Sequence, residues 1–534
     1  QMVRQKPLQS LFQNLRIWTS SLIFEQSIFH NKKGRSMSDL SLPTVIAFVI
    51  YVAIVLGIGF YAYIRTKNAS DYFLGGRNLS PAVSAISAGA SDMSGWVLLG
   101  LPGYAYMAGL EAFWITLGLT IGVAANWMLM AKRLRLYSVL LDDAVTVPSY
   151  LQRRFGDPKP WLKIIAGLAI LLFFLFYVGS GLIAGGKLFN AVFGLDYTVA
   201  VIAGVVLILV YTLFGGFLAV SWTDVFQGLL MLTALIAVPV LVISNAGGMG
   251  GFTDKVSEVN PEFLNIFTNA KGVSLSLLEI ISLLGWGLGY FGLPHVLARF
   301  KAIRSADDVG QATVIGVSWA FMGYLMAILV GLCGTVYLTV PLADPERVFI
   351  ELTSLIFHPL IAGVLLAAIL AAIMSTVDSQ LLVCSATLAE DLYPMMVKEP
   401  LSSEKRLQIG RVAVIVLALM ATVLAMKPDS KVLEVVSYAW AGLGASLGPA
   451  ILLSLYWRSM SAAGALAGIL VGGATVIIWE ALGGSGYGGG IFDLFSLVPG
   501  FFLSVLAIVL VTRIGGQTQS ATVLGQFDKM RSQL

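Results

Sequence analysis

Charge is what this sequence has least of. Asp, Glu, Lys and Arg together supply 12% of its 534 residues against 57% hydrophobic ones, and the mean hydropathy is +0.86. A soluble globule needs more polar surface than that, so a water-soluble enzyme or a nucleic-acid binder is excluded. Cysteine is almost absent. Cys333 and Cys384 both fall in apolar runs, and two buried thiols imply no disulfide framework. The three histidines, His30, His295 and His358, stand at no metal-ligand spacing with cysteines or acids, which argues against a zinc centre. Long polar segments are missing too. No separate soluble domain is available to carry catalysis, and the chain reads as a non-enzyme.

What is present is a series of apolar runs of about 20 residues, each long enough as a helix to span ~30 Å of hydrocarbon. About thirteen recur, near 43–64, 80–104, 111–131, 162–192, 197–217, 221–245, 273–298, 311–339, 358–389, 410–427, 433–456, 461–482 and 491–512. The fold class expected is an all-α polytopic membrane protein embedded in a lipid bilayer. Lysines and arginines gather in loops of one parity, among them Arg77, Lys132, Arg133, Arg135, Arg153, Arg154, Arg299, Lys301, Arg304, Arg406 and Arg458. The positive-inside rule makes that side cytoplasmic, with the start of the first span outside and the C-terminus inside. Residues 37–513 are read as one transmembrane domain and 514–534 as a cytoplasmic tail. The basic stretch 1–36, ahead of Met37-Ser38-Asp39, is read as a non-native or upstream extension rather than a targeting segment.

Three runs are interrupted by residues that membrane helices avoid. Ser87-Ala88-Gly89-Ala90-Ser91-Asp92-Met93-Ser94-Gly95-Trp96 places an acid among hydroxyls and glycines in the second run. An ionised carboxylate in hydrocarbon costs about 3 kcal/mol or more, so such a group faces a cavity, a partner or an ion. Gly285-Trp286-Gly287-Leu288-Gly289-Tyr290-Phe291-Gly292-Leu293-Pro294-His295 breaks the seventh run with four glycines and a proline and offers aromatic faces to an organic solute. In the ninth run, Ser375 and Thr376 mean little alone, since such hydroxyls commonly bond back to their own helix. Beside the first break they gain meaning: a small monovalent cation wants about five oxygens, and hydroxyls plus freed carbonyls supply them at little net charge. The second and seventh runs also open two five-helix stretches, about 80–245 and 273–456, that start on opposite sides. That is the arrangement of an inverted repeat with broken helices at the midplane.

These residues, with Asp71-Tyr72-Phe73-Leu74-Gly75-Gly76-Arg77, Gly215 to Asp224 and Ser437-Tyr438-Ala439-Trp440-Ala441-Gly442, resemble the solute:sodium symporter family in consistent order from about Leu40 to Arg513. The resemblance implies a 5+5 inverted-repeat (LeuT-like) core, sodium as the co-transported ion and no organic cofactor. It also implies sodium-coupled uptake of L-proline across the cytoplasmic membrane by alternating access. Pantothenate or another carboxylate, and a non-transporting solute sensor, stand as alternatives. No obligate protein partner is evident.

Carried over by position, the family's sodium site falls on Ala90, Met93, Ala372, Ser375 and Thr376. Asp92 and Arg77 match residues of sodium coupling. The solute site falls on Tyr177, Trp286, Tyr290 and Pro294, with Ser94, Gly95 and Trp96 on the opposite broken helix. Two departures stand out: Leu293 where a glutamine is expected, and Asp378-Ser379 in place of less acidic neighbours after the hydroxyls of Ser375 and Thr376. Asp224 is read as a helix-start residue rather than an ion ligand. Gly464, Gly468 and Gly472, four apart on one helix face, are read as close-packing positions.

Overall fold

Apolar helices that bury their backbone polar groups internally are the one way this composition can cross a bilayer without a closed barrel, and helices are what it forms. A computed structural model describes residues 41–65, 75–157, 159–213, 216–397, 401–484, 490–515 and 519–534. The extension expected at 1–36 lies outside them. In chain order the helices are α1 (Leu42–Arg65), α2 (Pro81–Asp92), α3 (Leu101–Ala108), α4 (Phe113–Asn126), α5 (Lys132–Leu140), α6 (Val147–Phe155), α7 (Trp161–Phe193), α8 (Tyr197–Thr212), α9 (Phe217–Asn245) and α10 (Gly248–Val259). There follow α11 (Leu277–Leu284), α12 (Pro294–Ala302), α13 (Val309–Tyr337), α14 (Val348–Ile356), α15 (Pro359–Ala386), α16 (Ser403–Ala425), α17 (Val432–Tyr456), α18 (Ala462–Gly484), α19 (Leu497–Ile514) and α20 (Ala521–Ser532). No strand occurs among the described residues.

Ten of the described helices are long and apolar enough to cross a membrane, or eleven when the bent pair Leu277–Gly292 and Pro294–Ala302 counts as one span. The shortfall from thirteen has a physical reason. Helix α8 has only 16 residues, and the second apolar run is cut by its break, its far half continuing into the third as Trp96–Leu140.

Both expected breaks are present. Helix α2 starts on Ser80, whose side chain accepts from the Val83 amide, with Pro81 in the first turn, and it ends at Asp92. Beyond it Met93 leaves helical geometry, and a π-helical turn at Trp96–Gly100 restarts the run. Helix α11 gives way to 3-10 turns over Gly285–Gly292, Leu293 is extended, and Pro294 opens α12 at a bend of 50°. Glycine is needed at this crossing because backbones touch: a Cβ on Gly122 of α4 would lie 2.6 Å from the Gly287 Cα. Helix α15 lies at the centre, and all but a few of its residues from Ala362 to Ala386 are buried. The glycine face of α18 is a close-packing surface as expected: a Cβ on Gly468 would run into Ile508 of α19 and one on Gly472 into the Ala445 carbonyl of α17.

On the basic side, α2 and α12 are tied end to end. The Leu79 amide donates to the Ala302 carbonyl (3.1 Å) and the Arg304 amide to the Leu79 carbonyl (3.0 Å). Gly75, Gly76 and Arg77 carry left-handed φ values of 60°, 62° and 56°, a run that two glycines make accessible and that turns Arg77 inward. Its guanidinium donates to the Lys301 carbonyl (2.7 Å) and Ser138 Oγ (3.1 Å) and pairs with Asp143 (2.6 Å).

The tail expected at 514–534 is more than a solvated end. Helix α20 buries Val523, Phe527 and Met530, and Asp528 takes two hydrogen bonds from Arg458, each 2.7 Å. Arg458 holds the Asp528 carboxyl below the ordinary carboxylate range. A depressed carboxyl contributes stability above its unfolded pKa and loses it as pH falls through the folded one. Amide protection factors within 521–532, taken relative to intrinsic exchange at each pH, are therefore expected to fall on acidification and in high salt, while those in α15 stay unchanged.

Candidate ion and solute site

The unwound end of α2 faces α15 on one side. Ser375 Oγ donates to the Ala90 carbonyl (2.8 Å) and lies 3.1 Å from the Ala372 carbonyl; Thr376 Oγ1, one residue on, is buried with no hydrogen-bond partner. Oxygens of Ala90, Ala372 and Ser375 thus meet in one cage across 285 residues of sequence, with Thr376 adjoining in the chain. Met93, the fifth expected member, is buried, and its sulfur faces Gly323 of α13, where an added Cβ would sit 3.1 Å away.

Asp92 does not point into that cage. Its Oδ2 accepts the Tyr290 hydroxyl at 2.5 Å and lies 3.2 Å from the Tyr324 hydroxyl, whose single proton is shared between Asp92 and the Tyr290 oxygen. Its backbone carbonyl accepts from Tyr177 Oη (3.1 Å) and Trp96 Nε1 (3.2 Å). The broken backbone is therefore held by aromatic side chains from α7 and from its own restart.

Those rings form a continuous cluster. Trp96 stacks on Trp286 (5.9 Å between centroids) and Tyr324 (5.8 Å), and Trp440 meets Tyr290 edge-on at 5.0 Å. Trp440 also donates to the Trp286 carbonyl at 2.8 Å. Above the cluster, Trp286 stacks on Phe495 at 5.1 Å, and this pair lines the bottom of a vestibule of about 700 Å³ edged by Tyr104, Glu111, Lys271 and Glu434. The vestibule opens on the side opposite the Leu79–Ala302 closure, so one face is accessible down to the rings while the other is tied shut.

The structure brings together Ala90, Ala372 and Ser375, and separately Asp92, Trp96, Tyr177, Trp286 and Tyr290; Thr376 is buried next to Ser375 in the chain. Ser94 and Gly95 complete the break: Ser94 is buried, and a Cβ on Gly95 would press within 2.6 Å of Ala184 Cβ. Pro294 falls elsewhere. It lines a small cavity below the break with Arg299, Lys301 and Ser379. Arg77 lies in the closure on the basic side, far along α2's approach from the cage. Tyr324, Trp440, Phe495 and Asn126 were not anticipated as site residues. Trp440 sat within a quoted motif, but Tyr324 stands in an apolar run with no polar companion to mark it.

Asp224 corrects its expectation. It is the eighth residue of α9, fully buried, accepting from Arg299 Nη2 (3.0 Å) and Ser87 Oγ (2.6 Å). A helix start fails because α9 begins at Phe217, one turn and more upstream. Arg299 also donates to Ser379 Oγ (2.6 Å), so α2, α9, α12 and α15 meet at one ion pair. Among the described residues Asp378 pairs with no base; Thr212 of α8 donates to one of its oxygens.

The sequence profile described as the Sodium:solute symporter family matches residues 72–472. The chain belongs to that family. It is 48% identical over 479 residues to the high-affinity proline transporter of Bacillus subtilis (strain 168), covering 89% of this chain and 98% of that protein. It is 46% identical over 483 residues to the sodium/proline symporter of Salmonella typhimurium, covering 89% and 94%. Among solved structures it is similar to a substrate-bound, outward-open sodium-coupled sialic acid symporter, with a TM-score of 0.75 at 20% identity over 90% of this chain and all of that one. A closed nucleobase-cation-symport-1 transporter gives 0.53 at 13% identity over 87% and 99%. At these identities the structures speak for the fold alone, a LeuT-like transporter architecture. The chain is a multi-pass membrane protein of a transporter family.

Proposed function

We propose that this symporter carries out sodium-coupled uptake of L-proline across the cytoplasmic membrane by alternating access, with transport and not catalysis as its activity. The observation that carries the reading is the shared broken segment. Ala90 supplies a carbonyl to the oxygen cage with Ser375 and Thr376, and two residues on, Asp92 is gripped by Tyr177, Trp96 and Tyr290 of the aromatic cluster. An ion that orders the unwound turn orders the solute box at the same time, so each ligand raises the other's affinity by linkage. A pyrrolidine ring suits the faces of Trp96, Trp286 and Trp440. The names of the curated relatives, a proline transporter and a sodium/proline symporter, point to the same solute.

In this reading Ala90, Met93, Ala372, Ser375 and Thr376 bind sodium, and Asp92 and Arg77 couple it. Ser94, Gly95, Trp96, Tyr177, Trp286, Tyr290 and Pro294 serve the solute, Pro294 through the bend it imposes. The vestibule is the outer entrance. The Leu79–Ala302 and Arg77–Lys301 contacts form the closed inner gate, with the C-terminal side cytoplasmic. An inward-negative potential of 100 mV contributes about 2.3 kcal/mol per charge, roughly fifty-fold accumulation before the sodium gradient is counted.

Labelled L-proline uptake into proteoliposomes tests this. Accumulation is expected only with an inward sodium gradient, and Ser375→Ala/Thr376→Ala should reduce it on the order of a hundredfold or more, as for about 3 kcal/mol of lost ligand contacts. Uptake indifferent to sodium would overturn the coupling. Sodium-dependent uptake of another solute with none of proline would overturn the choice of solute.

A further inference from the structure

Helix α20 lies against the closed basic side and has no task in the transport cycle as drawn above, yet it touches three separate parts of that side. On α5 it meets Tyr137, with the Phe527 ring edge-on at 6.1 Å between centroids. On α6 it sets Val523 against Gly156, where an added Cβ would stand 2.9 Å from the Val523 Cγ2, and it lays the Phe527 ring under the Arg154 guanidinium at 5.0 Å. On the turn after α17 it places Asp528, which accepts both bonds from Arg458, while Gln519, just ahead of the helix, donates to the Met460 carbonyl at 2.7 Å.

Two features give these contacts a mechanical consequence. Arg154 is fully buried and among the described residues pairs with no acid; its guanidinium donates to the carbonyls of Ser454 (2.9 Å), Trp457 (3.1 Å) and Arg458 (3.4 Å). A cation is held over an aromatic face most strongly where water is excluded, so Phe527 covers a charge that has no counter-ion. The second feature is that α5 faces two ways. Tyr137 meets α20, whereas its neighbours meet the closure: Arg135 Nε donates to the Ile303 carbonyl (2.6 Å), and Ser138 Oγ accepts from Arg77 (3.1 Å). Phe527 and Asp528 are consecutive residues of one helix, and they hold α5 and the α17 turn respectively. Helix α5 cannot draw away from that turn while both contacts stand.

We propose that α20 is a strap across the inner gate, which holds the gate closed and slows its opening until the strap lifts. The proposal rests on the alternating-access reading above and adds a point of control to it. The strap has one part that salt weakens and one that it does not. Arg458 and Asp528 are about half exposed, at 48% and 52%, so their attraction is screened by ions, whereas Val523, Phe527 and Met530 are buried apolar anchors. Raised ionic strength on the cytoplasmic side therefore acts in the same direction as loss of the Asp528 carboxylate: the inner gate opens faster.

Maleimide labelling of one reporter cysteine in the purified full chain decides it, with Cys333→Ala and Cys384→Ala in place and neither sodium nor solute present. Ala298→Cys reports the inner side, because Ala298 lines the small cavity with Arg299 and Lys301; Ser437→Cys reports the vestibule. Removal of residues 519–534, and the milder Phe527→Ala/Asp528→Ala, should each quicken inner labelling by roughly threefold or more and slow outer labelling, the scale set by one exposed charge pair and one ring contact. Arg458→Asp/Asp528→Arg rebuilds the pair with its charges exchanged and should label like the unaltered chain, while Asp528→Arg alone labels fast. Unchanged or slower labelling at Ala298→Cys in both strap variants overturns the proposal. So does faster labelling at both reporters, which would mean that the whole chain has loosened. An unmoved inner reporter in a chain that still shows sodium-driven proline uptake would sink the strap alone; uptake indifferent to sodium would sink the reading beneath it.

Discussion

Replacing Arg299 with Met should destabilise the protein by about 3–5 kcal/mol, the cost of leaving a buried charge without its partner. Asp224 would then sit fully buried with Ser87 as its remaining partner and its counter-ion gone. Adding Asp224→Leu to Arg299→Met removes the stranded charge, and the double variant should recover most of the loss, because a well-packed apolar pair often matches a buried ion pair in stability. Thermal inactivation of the detergent-purified chain measures both. A double variant no more stable than Arg299→Met would show that the pair's worth lies in the other bonds Arg299 makes, to Ser87 and Ser379. The double variant should stay impaired in transport even when stable, since α2, α9, α12 and α15 would lose the polar junction that sets their mutual register.

That junction also marks the limit of what the residues reveal in order along the chain. The breaks were legible because they violate local rules: glycines, a proline and an acid have no business in apolar helices unless the helix opens there, and at Met93 and Leu293 it does. The pairing of Ser375 with Ala90 followed from chemistry, as hydroxyls and freed carbonyls are the ligands a hard monovalent ion needs. Asp224 was misread because its surroundings in sequence, Ser221-Trp222-Thr223, look like a helix start; what decides its role is Arg299, 75 residues away. Tyr324 and Asn126 carry no local signal at all. Each is a polar side chain in an apolar stretch; the packing of α13 against α2 brings the Tyr324 hydroxyl to Asp92, and Asn126 shares a small cavity with it. Pro294 was placed by analogy in the solute box, whereas its geometric effect is the bend that opens α12.

Gly289→Ala should be among the most damaging single-methyl changes at the described glycines. The added Cβ would overlap the indole of Trp440, which is completely buried, donates to the Trp286 carbonyl and packs edge-on against Tyr290. Overpacking of a tight site costs about 1–3 kcal/mol. Here the ring has no free volume to enter, since Trp96, Trp286 and Tyr177 surround it. The strain falls on the segment that holds Asp92, so solute affinity should drop tenfold or more, with sodium-driven uptake falling in parallel. Shrinking the obstacle tests the cause. Trp440→Phe alone should weaken proline uptake by removing both ring area and the hydrogen bond to Trp286. In the Gly289→Ala background the same change should restore part of what the methyl took, giving a coupling of opposite sign to simple additivity. Losses that merely add would mean that Gly289 is required for the backbone path of the 3-10 segment itself, and that the aromatic box is not what the glycine protects.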